Sequence, residues 1–186
     1  MLKRALIFGL LTMGMMAHQI LLASNQTQSD DETPATMDYQ ITQIANLYVI
    51  GLAVETSNAT FLQDTASLRE KFFHGNMAEQ IPNRVNQNLL VVYTDYQGDY
   101  TQLFTYLVGC QVANLSSIPD GMRGIEVKAA PYAVFNAKGE FPQSLVKTWQ
   151  AIWNSSLKRS YTIDLEAYRS DFNPQANPGV EVYIAL

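Results

Sequence analysis

The stretch Ser160 to Tyr168 reads SYTIDLEAY and sets two carboxylates and a phenol at alternate positions, Asp164, Glu166 and Tyr168. In an extended chain alternate side chains share a face, so these three stand together, with Ile163, Leu165 and Ala167 on the opposite side. The closing VEVYIAL pairs Glu181 and Tyr183 in the same way. A carboxylate held among aromatics and away from water either keeps its proton more tightly or attracts a cation, and tyrosine and tryptophan faces add cation–π attraction. The plainer alternative is an antiparallel sheet with one wet face, its polar residues turned to solvent, and that is the commoner arrangement.

Trp149 and Trp153 fall on one helical face with Leu145 and Ile152, so they are core residues first and ligand walls second. Tyr93, Tyr96, Tyr100 and Tyr106 surround the turn at Gly98. Strict alternation would put Tyr93 and Tyr96 on opposite faces, so they are not expected to line one cleft together.

Other chemistries are excluded or unsupported. The sequence has no phosphate loop, zinc spacing or nucleophile elbow, and no metal or cofactor is expected. Cys110 is the single cysteine, so no intrachain disulfide can form, and LVGCQV reads as a strand with a buried thiol. His74 sits at the expected end of a helix, where a surface or capping role suits it better than a triad or a metal site. The net charge is −5, or −7 once Lys3 and Arg4 leave with a leader, and no basic cluster offers a grip on nucleic acid. The adjacent Lys158 and Arg159 are expected to face the dipole at a helix end.

Lys3 and Arg4 precede an apolar run from Ala5 to about Met16, with small residues at Ala17 and Ala23. This is the layout of a secretory signal over residues 1–23. The alternative is a membrane anchor through residues 5–23, which just approach spanning length but are interrupted by His18 and Gln19. Residues 24–37, polar, acidic and without aromatics, read as a tether, and residues 38–186 as one folded domain. Within it Tyr48 to Thr56 reads as a strand and Asp64 to Phe73 as a helix capped by Asp64. Leu89 to Gln97 and Leu103 to Val112 follow as two strands. After SSIPDG the order recurs: strands at Ile125 to Lys128 and Tyr132 to Lys138, a helix from Gln143 to Ser155, and strands at Tyr161 to Tyr168 and Val180 to Leu186. The expected fold is therefore α+β, a duplicated β-α-β-β unit (about 47–112 and 122–186) with antiparallel sheets related by a pseudo-twofold. A ligand cleft is expected where the halves meet.

GLAVETSN, IPNRV, YTDYQGDYTQLFTYLVGCQV, YAVFNAKGEFPQSLVKTWQAIWNSS, DLEAYRSDFNP and VEVYIAL resemble, in order, the AraC-type effector-binding domain, also called GyrI-like, in its integron-associated and stand-alone forms. The resemblance spans Tyr48 to Leu186. It implies a pocket between the repeats for hydrophobic, often cationic small molecules, with Glu166 at the position of a buried glutamate that pairs with the cation. It matches Trp149 to a tryptophan usual in the second helix, Tyr132 to the first residue of the family's YAVF-like strand, and Glu181 to the acidic residue before the final aromatic of the last strand. The first helix carries Arg69 after Leu68 where relatives often have tryptophan, which implies a more open or more polar wall. Because no helix-turn-helix segment stands ahead of the domain in this sequence, a direct role in transcription is not expected. The reading is an exported, monomeric domain, periplasmic or secreted, that binds a small amphipathic molecule. The ligand-binding set is Glu166, Trp149, Tyr132, Tyr93, Phe104, Tyr168, Tyr183 and Glu181. The alternatives are a hydrolase of reactive electrophiles, implied by members of the family that use a pocket glutamate to direct water, in which Glu166 or Glu181 with a raised pKa would act as general base, and a protein-interaction module.

Overall fold

A computed structural model describes residues 38–176 and 179–186; the expected leader and tether lie outside the described residues. The chain runs β1 (Tyr39–Ile44), β2 (Leu47–Thr56), α1 (Phe61–His74), α2 (Met77–Gln80), β3 (Leu89–Thr94) and β4 (Phe104–Val112). It continues through β5 (Arg123–Val127), β6 (Ala130–Ala137), α3 (Gln143–Trp153), β7 (Ile163–Tyr168) and β8 (Val180–Ala185). The duplicated unit is present as β2-α1-β3-β4 and β6-α3-β7-β8. Strand β1 was not expected; its YQITQI is exposed along nearly its whole length and lacks an apolar face to announce it. Helix α1 starts three residues earlier than predicted, with Thr60 at the cap position. Asp64 therefore does not cap. It sits in the first turn, where a negative charge suits the dipole, and accepts a 2.8 Å hydrogen bond from Thr56 Oγ1.

The two halves do not form separate sheets. They join edge to edge into one eight-stranded antiparallel sheet of order β1-β6-β8-β7-β3-β4-β2-β5. Its central seam pairs β3 with β7, setting Val91 opposite Glu166 and Tyr93 opposite Asp164. This sheet cannot be flat. β5 and β6 are six strand spacings apart, roughly 29 Å at the usual separation, yet Lys128 and Ala129 alone connect them, a link that reaches about 11 Å. Ala45 and Asn46 connect β1 to β2 across the same span. Both short links require the sheet to roll until its outer strands approach each other. Asn46 ties the two links together: its Oδ1 accepts from the Ala129 N–H at 2.6 Å, and its Nδ2 donates to Glu126 at 3.4 Å.

Rolling divides the interior into two cores. One face packs α1 and α3 over Ile50, Leu52, Val91, Phe104, Val108 and Val182. The other face buries Val49, Leu90, Val92, Leu107, Val127 and Leu165 against one another, with no helical residue among them. Where β2 meets β4, Gly51 faces Gly109. A Cβ on Gly51 would lie 2.1 Å from the Val108 carbonyl oxygen, so only glycine permits that approach.

Candidate functional site

Alternation along β7 places Asp164, Glu166 and Tyr168 on the helix-covered face, and all three are buried. The wet-face reading of this strand is therefore overturned: α3 lies over the face that an uncovered sheet would give to water. Glu166 is 0% exposed and accepts three hydrogen bonds. Tyr93 Oη and Trp149 Nε1 donate to Oε1 at 2.8 and 2.7 Å, and Tyr168 Oη donates to Oε2 at 2.7 Å. Burial pushes the Glu166 carboxyl above the usual range, against the pull of those three donors. The Tyr93 and Tyr168 hydroxyls are pushed well above theirs, by burial first and then by the neighbouring carboxylate. Among the described residues no lysine or arginine pairs with Glu166.

Tyr93 and Trp149 are both ligands of this carboxylate and walls of an open cleft. The cleft measures about 620 Å³, including the space at its mouth, and lies between the start of α1, the β3–β4 loop and α3. The first repeat supplies Asn58, Phe61, Tyr93, Tyr96, Tyr100 and Phe104; the second supplies Val146, Trp149, Trp153 and Arg159. The cleft thus stands between the halves, as the duplication led one to expect, and both tryptophans of the sequence line it. Tyr100 stacks on Trp153 with ring centroids 5.6 Å apart and planes 10° off parallel, while Tyr93 meets Trp149 edge to face at 5.1 Å.

Five of the eight predicted residues are gathered on this face: Trp149, Tyr93 and Phe104 line the cleft, with Glu166 and Tyr168 directly behind its wall. Three are not. Tyr132 is buried in the second core, where burial pushes its hydroxyl up to about 12. Tyr183 packs beside it on that same face, and the exposed Glu181 accepts the Tyr183 hydroxyl at 2.6 Å. The strand parity that buries Val180, Val182 and Ile184 under the helices turns Glu181 and Tyr183 away, so Glu181 cannot act in the cleft as a base or as a ligand.

Two expectations about the cleft's neighbours also fail. Tyr96 joins Tyr93 in the cleft because alternation stops at Thr94. Asp95 adopts a left-handed backbone, φ 52°, held by Arg123 at 2.7 Å and Thr105 at 2.8 Å, and the chain turns under itself before Tyr96. Those contacts keep the Asp95 carboxyl below its usual range although partial burial opposes them. Arg159 does not face the end of α3, which closes at Trp153. Its Nη2 donates to Asp164 Oδ2 at 2.6 Å, and its side chain is 3% exposed. Asp164 also accepts Tyr96 Oη at 2.7 Å and the Ala185 N–H at 3.0 Å. Sequence reasoning left Arg159 out because an arginine beside a lysine after a helix reads as surface; the one signal for it was the carboxylate five residues on.

The match to known proteins follows this geometry. Residues 40–186 fit the model of the integron-associated effector binding proteins. The chain belongs to that family. An integron cassette protein from the mobile metagenome of Vibrio cholerae is 28% identical, with a TM-score of 0.64 over 79% of this chain and 94% of its own. SAV2435, whose structure holds tetraphenylphosphonium, shares the fold at 18% identity and a TM-score of 0.61, over 80% of this chain and 93% of its own. YobU of Bacillus subtilis, which carries the name of a transcriptional regulator, is 23% identical over 143 residues, 73% of this chain and 89% of YobU. The resemblance seen in the sequence is thereby established at the level of family and fold. Effector binding is the property that the family's description assigns to its members.

Proposed function

We propose that this family member binds a hydrophobic aromatic cation in the cleft between its repeats. The observation that carries the reading is Glu166, a wholly buried carboxylate with three neutral donors and no cationic partner among the described residues, set behind a wall made by its own donors Tyr93 and Trp149. Burying an ionised carboxylate is costly unless something positive compensates. A cation resting on the tyrosine and tryptophan faces would supply that compensation and gain cation–π attraction. Binding of tetraphenylphosphonium by SAV2435 supports the choice of ligand class. We further propose that the chain is exported, on the strength of Lys3, Arg4 and the apolar run after them.

Because both tryptophans line the cleft, intrinsic fluorescence reports on it directly. Titration with tetraphenylphosphonium should change the emission saturably, and a flat titration up to millimolar concentrations would refute the binding reading. The mass of the mature protein in cell fractions tests export, which fails if the intact chain stays in the cytosol.

A further inference from the structure

One charged residue of the cleft lining has part of its hydrogen-bonding capacity unused. Arg159 gives only Nη2 to Asp164; its Nε and Nη1 are buried and have no acceptor among the described residues. Asp164 cannot serve them by turning, because Oδ1 takes the Ala185 N–H while Oδ2 is shared by Arg159 and Tyr96. The guanidinium is held in place by rings: Tyr161 lies over it at 4.4 Å and Tyr100 at 5.9 Å. Tyr161 takes this position with a left-handed backbone, φ 53°, a conformation that bulky residues adopt only when their surroundings impose it. Desolvated donors without an acceptor are costly, and here they belong to a residue of the cleft wall.

We infer that Arg159 determines specificity: the ligand is an aromatic cation that also carries an oxygen acceptor, a carboxylate or a carbonyl, taken by Nε and Nη1 of Arg159. This rests on the reading that the cleft holds an aromatic cation. Glu166 lies behind the Tyr93 and Trp149 wall, whereas Arg159 is itself part of the lining. The cleft is thus polarised, and a molecule with a positive ring system and an oxygen-bearing arm complements it. Asp164 already balances the charge of Arg159, so the remaining N–H groups suit a carbonyl as well as a carboxylate.

Three dyes separate the possibilities: tetramethylrosamine, tetramethylrhodamine methyl ester and tetramethylrhodamine. They share one xanthylium cation and differ in whether the pendant phenyl carries no substituent, an ester or a carboxylate. Affinities are read by dye polarisation on the whole chain. Wild type should bind the ester or the carboxylate at least about tenfold more tightly than the bare phenyl, the scale of a charge-assisted hydrogen bond. Arg159→Lys keeps a cation beside Asp164 but loses the fork, and should bring the three within about threefold of one another. The readout is the ratio among dyes measured on one protein, so a general weakening of the variant does not enter it. Equal binding of the three by wild type, or an undiminished preference in Arg159→Lys, overturns the inference. Failure of wild type to bind any of them refutes the aromatic-cation reading beneath it.

Discussion

Replacing Glu166 by Gln isolates the contribution of charge from that of shape. Glutamine can keep the same contacts: its oxygen accepts from Tyr93 and Trp149 as Oε1 does now, and its amide can donate to the Tyr168 hydroxyl. The cleft keeps its lining, since Glu166 stands behind the wall. What changes is the field. A cation seated on the Tyr93 and Trp149 rings lies roughly 7 Å from the carboxylate, one ring layer away, and at an effective dielectric of about 20 the attraction is about 2 kcal/mol. That corresponds to about thirtyfold in affinity. The assay is titration calorimetry above neutral pH, where Glu166 is more fully ionised, with tetraphenylphosphonium and the neutral triphenylphosphine oxide on both proteins. Glu166→Gln should lower the ratio of cation to neutral affinity about thirtyfold. A ratio unchanged within experimental error would show that Glu166 serves the fold alone.

Three other outcomes follow from the same structure. Burial raises the Glu166 pKa above the 4.5 of an unperturbed glutamate, so the folded protein holds that proton more tightly than the unfolded chain. Its contribution to stability is full below the unfolded value and is lost as pH rises through the folded one. The melting temperature of wild type relative to Glu166→Gln should accordingly fall as pH rises above 4.5, and a flat or rising difference contradicts the assignment. Trp149→Phe keeps most of the ring but removes the 2.7 Å donor to Glu166. It should cost about 1–3 kcal/mol of stability in denaturant titration, and a loss within error of zero would mean that the bond contributes nothing. Gly51→Ala forces a methyl group to within 2.1 Å of the Val108 oxygen and 2.6 Å of Gly109 Cα, both backbone atoms. Destabilisation of at least about 2 kcal/mol is expected by thermal melting, and an unaffected protein would show that the β2–β4 approach is looser than described.

The repeat and its strands could be read from apolar runs and turn residues because each element's local pattern agrees with its place in the sheet. Alternation alone brought Asp164, Glu166 and Tyr168 to one face. Whether that face was wet depended on α3 lying over it, which no residue of β7 encodes. Tyr132 and Tyr183 were misplaced for a related reason. Both faces of this sheet are buried, one by helices and one by rolling, so a buried tyrosine could belong to either, and the roll shows only when the strand order is set against the two-residue links. Tyr96 was assigned to the wrong side because one left-handed residue, Asp95, breaks a period of two. Arg159 was invisible because its partner Asp164 lies across a loop whose path no local pattern fixes.

The seam between β3 and β7 also bears on how the chain avoids misfolding. A slip of one residue there would keep most apolar matches along β3, since both faces of β3 are apolar, and so hydrophobicity alone discriminates the register at this seam weakly. The polar residues do not share that tolerance. Slipped by one, Asp164 and Glu166 would enter the core of Leu90, Val92 and Leu107, stripped of Tyr93, Trp149, Tyr168 and Arg159, at the cost of two unpartnered buried carboxylates. The charged residues beside and behind the cleft wall therefore also proofread the alignment of the two repeats.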